Sequence, residues 1–199
     1  MPTEQVRPFR VLVVGGSYAG LAVTVNLLDL CHGKHPRFSV SRGIPTEEAV
    51  QPLPVEITIV DQRDGYCKSE CNPVYMNFRS NHLDHLIGSP LAFASSSYAS
   101  KAWVCFEDIP ALKTPEVQFV HGTVVQVNCQ AKTATIRENN AQGHRHIQYD
   151  YMIAASGLRR NWPTVPQELQ RKEYLLEMAT HIDGTQRAMD RIVIVGGGK

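Results

Sequence analysis

Neither sign of charge prevails in this sequence: 20 Lys and Arg stand against 19 Asp and Glu, a formal net charge of +1. Without a basic excess there is no electrostatic footprint for nucleic acid or for an anionic membrane surface. No uninterrupted apolar run is long enough to span a bilayer, and residues 1–10 lack the apolar core of a secretory leader. Cysteine is sparse and odd in number, five residues without dense spacing, which argues against a disulfide framework and for a reducing compartment. Together these absences predict a cytoplasmic protein with no transmembrane segment and no nucleic-acid partner. What remains is ordinary globular usage, 43% hydrophobic and 20% charged over 199 residues, enough for one sizeable core or at most two small ones.

The strongest local signal lies near the N-terminus. Val11, Leu12, Val13 and Val14 form a β-branched-rich run that stops at Gly15 and Gly16, as a buried parallel strand would. Ser17 then stands as the N-cap of a helix in which Leu21, Val25 and Leu28 recur at i, i+4 and i+7 through Leu30, closed by Gly33 and Pro36. The connecting turn is Gly15, Gly16, Ser17, Tyr18, Ala19, Gly20, or G-x-S-x-x-G, one residue away from the dinucleotide fingerprint. In such a turn Gly15 permits the tight bend, residue 17 sits where the backbone approaches a pyrophosphate, and Gly20 lets the helix pack closely on the strand. A tight turn in an α/β protein that binds no nucleotide would use the same glycines.

A second β-rich run, Val55, Ile57, Ile59 and Val60, ends in Asp61, and a carboxylate at that tip is the residue that holds ribose hydroxyls. Asp61 lies 46 residues after Gly15, against about 20 expected from the end of the motif. The excess falls in residues 31–54, where Gly33, Pro36, Gly43, Pro45, Pro52 and Pro54 read as an inserted surface loop.

Further along, VLVVGGSYAGLA from Val11 and VEITIVDQRDGY from Val55 are joined by HLIGSPLAFAS from His85, YASKAWV from Tyr98 and YDYMIAASGLRRNWP from Tyr149. With these segments the sequence resembles the apoptosis-inducing-factor-like branch of the FAD-dependent pyridine-nucleotide oxidoreductases, in its fungal form. The resemblance implies an α/β, Rossmann-like FAD-binding fold with a parallel sheet and a β-meander, followed by an incomplete second Rossmann domain. It implies a second flavin-contacting segment at Ala155, Ser156 and Gly157, and a backbone contact from Val124 to the adenine. Near Ala92, where relatives commonly carry a basic residue at the flavin, this chain has no charge to offer. Residues 1–160 are thus expected to form the flavin domain, with 31–54 and 67–84 as insertions. Residues 161–199 are expected to supply a linker, a helix and the first strand of a truncated NAD(P)-binding domain.

Function follows from the same resemblance: electrons would pass from NAD(P)H through FAD to a quinone or another acceptor. The flavin carries that chemistry, so no catalytic acid, base or nucleophile is assigned. Two departures stand against a complete enzyme. Relatives run almost directly from the segment like Tyr66 to the segment like His85, and the intervening 67–84 reads as a retained intron or an annotation error. The final run of Ile192 to Gly198 ends at Lys199 before any helix could receive a pyrophosphate, so NAD(P)H is not expected to bind normally. The alternatives are a catalytically incompetent remnant and a flavin disulfide reductase using Cys67 and Cys71.

Other features have plainer readings. Cys67, Cys71, His82 and His85 give C-x3-C-x10-H-x2-H, but the histidine gap is shorter than zinc fingers use, and no metal site is assigned. His144 and His146 read as solvated residues at a polar hairpin tip. Val117 to Val120, Val124 to Val127, and Ala134 with Ile136 predict short strands with turns at Gly122 and at 139–143. Leu169, Tyr174, Leu175 and Leu176 predict an amphipathic helix over 168–177.

Overall fold

The structure, a computed structural model, describes residues 7–37, 51–67, 90–139, 141–157, 161–162 and 165–188. Four strands form its parallel centre: β1 (Phe9–Val14), β2 (Val55–Asp61), β5 (Val117–Asn128) and β8 (Tyr151–Ala154). They lie in the order β5-β2-β1-β8, and β5 continues into an antiparallel meander with β6 (Thr133–Glu138) and β7 (His144–Gln148). Helix α1 (Tyr18–Cys31) makes the crossover from β1 to β2. A small second sheet pairs β3 (Gly65–Cys67) with β4 (Trp103–Cys105), preceded by α2 (Ser96–Ala102), and α3 (Arg171–Arg187) follows β8. This is the α/β class expected from the sequence.

Burial of both faces explains the unbroken apolar run of β1. Val11 and Val13 face one side, where Val55, Ile57, Ile59 and Leu28 of α1 complete a core together with Tyr66, Phe106 and Leu112. Leu12 faces the other side, where Val60, Val120, Ala134, Ile136 and Tyr149 pack as the meander curls over the sheet. A third cluster joins α3 to the small sheet through Trp103, Tyr174, Met178, Ile182 and Ala99.

Two expectations are corrected here. Gly122 does not turn the chain: Val117–Asn128 is one continuous strand, and the reversal comes at 129–132, where Asn128 Oδ1 accepts the Ala131 amide at 2.9 Å. Gly122 is needed because a Cβ there would lie 2.6 Å from the Arg137 carbonyl oxygen on β6. The C-terminal helix begins at Arg171 and runs to Arg187, and its buried stripe is Tyr174, Met178 and Ile182, while Leu176 is 63% exposed. Helical spacing of four selects Met178 and Ile182 over the adjacent leucines.

Helix α1 ends against an ion pair at the start of the 31–54 loop. The Asp29 side chain, only 6% exposed, accepts bonds from Arg37 Nη2 at 2.6 Å and Nε at 2.8 Å. The Arg37 guanidinium holds the Asp29 carboxyl below its ordinary range, against the opposing effect of burial. A depressed carboxyl contributes stability that is present above the unfolded pKa of about 3.9 and is lost as pH falls through the folded value. Asp29→Asn is therefore expected to lower unfolding free energy at pH 7 by about 1–2 kcal/mol, a modest figure because Arg37 is partly solvated. Urea titrations at pH 7 and at pH 2–3 check this: the difference between the two proteins should shrink at the acid end.

Candidate functional site

The C-terminal ends of β1, β2 and β8 converge. Gly15 N–H donates to the Val60 carbonyl at 2.8 Å, and Ala155 N–H donates to the Val14 carbonyl at 2.7 Å. Gly15 takes φ +103°, open mainly to glycine, and a Cβ on it would overlap the Ala155 carbonyl. A Cβ on Gly20 would overlap the carbonyl oxygen of Gly15, so the first turn of α1 rests directly on the turn that precedes it. Gly16 faces the ring of the buried Phe106, with a Cβ at 2.5 Å from Cζ. Phe106 in turn packs against Tyr66 and Phe119, with ring centroids 6.2 and 4.6 Å away.

Ser17 occupies the N-cap position as expected, but its hydroxyl makes no capping bond. The first-turn amides of an α-helix have no partners within the helix, so this end can receive an anion. Tyr18 and Ala19 are exposed there, and the Tyr18 ring stands edge-on to Tyr66 at 5.7 Å. Burial, with Tyr18 beside it, pushes the Tyr66 phenol up to about 12, so it stays neutral under the turn.

Asp61 is brought to this turn. Its Oδ2 accepts the Gly16 amide at 2.7 Å and its Oδ1 accepts the Arg63 amide at 2.8 Å. A carboxylate offers about four acceptor positions, which leaves capacity for two hydroxyls. Each of the next three residues anchors a different element. The Gln62 carbonyl accepts from Asn139 Nδ2 at 2.9 Å and lies 3.0 Å from His121 Nε2. Arg63 Nη2 donates to the Pro166 carbonyl at 2.8 Å. Asp64 Oδ1 accepts the Trp103 indole N–H at 2.9 Å, and its carboxylate accepts the Arg171 amide at the start of α3.

The remaining assigned residues border the same end. Ser156 and Gly157 follow β8 and are exposed, Gly157 with φ +68°. Val124 lies three residues beyond His121, the partner of Asp61 in the β2–β5 register, and pairs with Ile136 of β6. Past the end of β2, therefore, one backbone edge of β5 no longer has β2 beside it. Ala92, in a short helical turn over 90–93, is 1% exposed. Two surface grooves of about 510 and 470 Å3 lie elsewhere, one along α3 and one between the meander and Leu169. Neither is lined by the glycine turn, whose geometry rests on backbone and Cβ-free positions.

Sequence reasoning missed Phe106, Gln62, Arg63, Asp64, His121 and Asn139. Only Asp64 carried a readable sign, as a second carboxylate three residues after Asp61. Cys71, His82, His85 and the 192–199 run fall outside the described residues, as does 68–84. His144 and His146 are exposed on β7, with His146 Nδ1 3.1 Å from the Thr135 hydroxyl.

A strand, a glycine turn and a helix packed by missing Cβ atoms, with a carboxylate at the tip of the neighbouring strand, define a Rossmann-type dinucleotide fold. Solved structures share it: reduced Bacillus anthracis CoADR-RHD, with TM-score 0.55 at 16% identity, covers 91% of this chain and 28% of its own. NDH2 from Plasmodium falciparum, with TM-score 0.50 at 11% identity, covers 86% and 28%. The family described as pyridine nucleotide-disulphide oxidoreductase matches residues 9–199, and the chain belongs to that family. It is 46% identical over 199 residues to "Oxidoreductase OXR1" of Ajellomyces capsulatus, covering 98% of this chain and 39% of that protein. It is 22% identical over 189 residues to "Ferroptosis suppressor protein 1" of Xenopus tropicalis, covering 95% and 37%. The chain thus spans well under half the length of these relatives. Among the described residues no helix is long and apolar enough to cross a membrane.

Proposed function

We propose that this chain holds FAD and forms the flavin-binding part of an oxidoreductase that passes electrons from NAD(P)H to a quinone or another acceptor. The observation that carries the reading is the cradle at the head of α1: Gly15 and Gly20 leave no room for a Cβ, and Asp61 is anchored on the Gly16 amide beside it. The amides at 17–20 would hold the pyrophosphate, assisted by the positive end of the α1 dipole. Asp61 would accept the ribose hydroxyls, and the backbone of Val124 on the free edge of β5 would meet the adenine. Ser156 and Gly157, at the end of β8, would border the ring system. When bound, the flavin supplies hydride and electron transfer; the protein's residues bind and orient it. Residues 1–160 form this flavin part on our reading, and 161–199 begin the nicotinamide-binding part.

The purified chain's visible absorbance, with identification of any cofactor released on denaturation, tests the proposal. One FAD per chain is the expected result, and bleaching on addition of NAD(P)H then reports whether residues 161–199 suffice for hydride delivery. No flavin, even after reconstitution, overturns it in favour of a remnant without enzymatic activity.

A further inference from the structure

At the opposite end of the sheet from the glycine turn, three unlike donors meet. Cys31 is the last residue of α1, His32 is its C-cap with φ −90° and ψ 11°, and Glu116 immediately precedes β5. The Cys31 thiol, a His32 ring nitrogen and a Glu116 carboxylate oxygen all lie within 4.8 Å of one another. His32 Nε2 and Glu116 Oε1 are 3.6 Å apart, too far for a good hydrogen bond. That distance lies at the upper end of the roughly 3.3–3.6 Å between nitrogen and oxygen ligands that share a tetrahedral ion with bonds of about 2.0–2.2 Å, and the cluster, spread over up to 4.8 Å, would close slightly on loading. Glu116 Oε2 is buried without a hydrogen bond of good geometry among the described residues, the Thr114 hydroxyl being the nearby donor that acts on the carboxylate, and a buried carboxylate oxygen so weakly met is favourably placed to take a cation.

The backbone supports the same assignment. The Glu116 carbonyl accepts the Ile57 amide at 2.7 Å, and the His32 amide donates to the Leu28 carbonyl at 3.1 Å, so neither ligand segment is loose. Helix α1 carries no basic residue in its last turn, and the Arg37 guanidinium near its end is engaged with Asp29, so a cation at Cys31 and His32 would add to the charge facing the helix's negative pole. We propose that Cys31, His32 and Glu116 bind a divalent transition-metal ion of the zinc class. The mixture of sulfur, nitrogen and oxygen donors disfavours magnesium and calcium, which take oxygen. Three protein ligands leave a fourth position for water or a small anion. Loading releases the thiol proton, and thiolate plus carboxylate then balance the ion's charge. Helix α1 is 14 residues long, so the ion sits about 20 Å from the glycine turn. Its effect is to staple the end of α1 to the entry of β5, where the 31–54 loop begins.

Cobalt(II) titration of the metal-stripped chain tests this. Wild type should take up one equivalent, with the visible bands of tetrahedral cobalt and a near-ultraviolet thiolate charge-transfer band. Cys31→Ser should abolish the charge-transfer band. His32→Ala and Glu116→Gln should weaken binding by at least the roughly 10–100-fold that loss of an outer-shell partner costs. Cys129→Ser, which removes an exposed thiol outside the cluster, should titrate like wild type. Zinc should raise the melting temperature of wild type and of Cys129→Ser but not of the ligand variants. Melting in metal-free buffer separates a lost ligand from a lost fold; if Glu116→Gln does not fold, Cys31→Ser and His32→Ala decide the matter. Octahedral cobalt without a thiolate band, or a Cys31→Ser protein that titrates like wild type, overturns the proposal.

Discussion

Gly20→Ala is expected to destabilise the chain by about 3 kcal/mol, a large effect for the addition of one methyl group. In an open helix the same change gains up to about 1 kcal/mol. Here the new Cβ would overlap the Gly15 carbonyl oxygen, which belongs to backbone held by the bond from Gly15 to Val60. No rotamer relieves such a clash, so the helix must lift from the turn. Gly184→Ala, where nothing lies within 4 Å of the added carbon, serves as the control and should not lower stability. Denaturant midpoints for the two variants check the contrast. An unchanged midpoint for Gly20→Ala would show that α1 does not rest on Gly15.

Asp61→Ala is expected to weaken FAD binding by about 100-fold or more. Two charge-assisted backbone bonds, from the Gly16 and Arg63 amides, end on this carboxylate. Each is worth roughly 1.5–3 kcal/mol, and the proposed contacts to ribose are lost with them. Asp61→Asn keeps one acceptor oxygen and should fall between the two. Flavin fluorescence during reconstitution of the apoprotein gives the dissociation constants. An Asp61→Ala protein that retained FAD within a few-fold of wild type would confine this carboxylate to ordering the turn.

The part of this fold legible in sequence is the part governed by short-range periodicity. β1, α1 and β2 follow from the apolar run ending at Gly15, the spacing of Leu21, Val25 and Leu28, and the alternation that ends at Asp61. Family resemblance added an expectation for the segment after Tyr149. What could not be read depends on partners distant in sequence. Gly122 looks like a turn residue until Arg137, on another strand, is seen to occupy the space where its side chain would be. Leu176 looks like core until α3 is docked on Trp103 and Tyr174 takes the buried face. Phe106 declares itself only once its ring is found against Gly16. The Cys31, His32 and Glu116 cluster was equally hidden, since the chain runs through β2 and then the small β3–β4 sheet before Glu116 returns beside the end of α1.

Residues 61–64 reach, one after another, the glycine turn, the meander, the Pro166 segment, and Trp103 with the head of α3. Such a junction has a fixed length. Adding or removing one residue would rotate every later side chain out of its seat and detach several elements together. A change of length before β2 leaves this junction intact, whereas between Asp61 and Asp64 the spacing of two intervening residues is fixed by the four elements it joins.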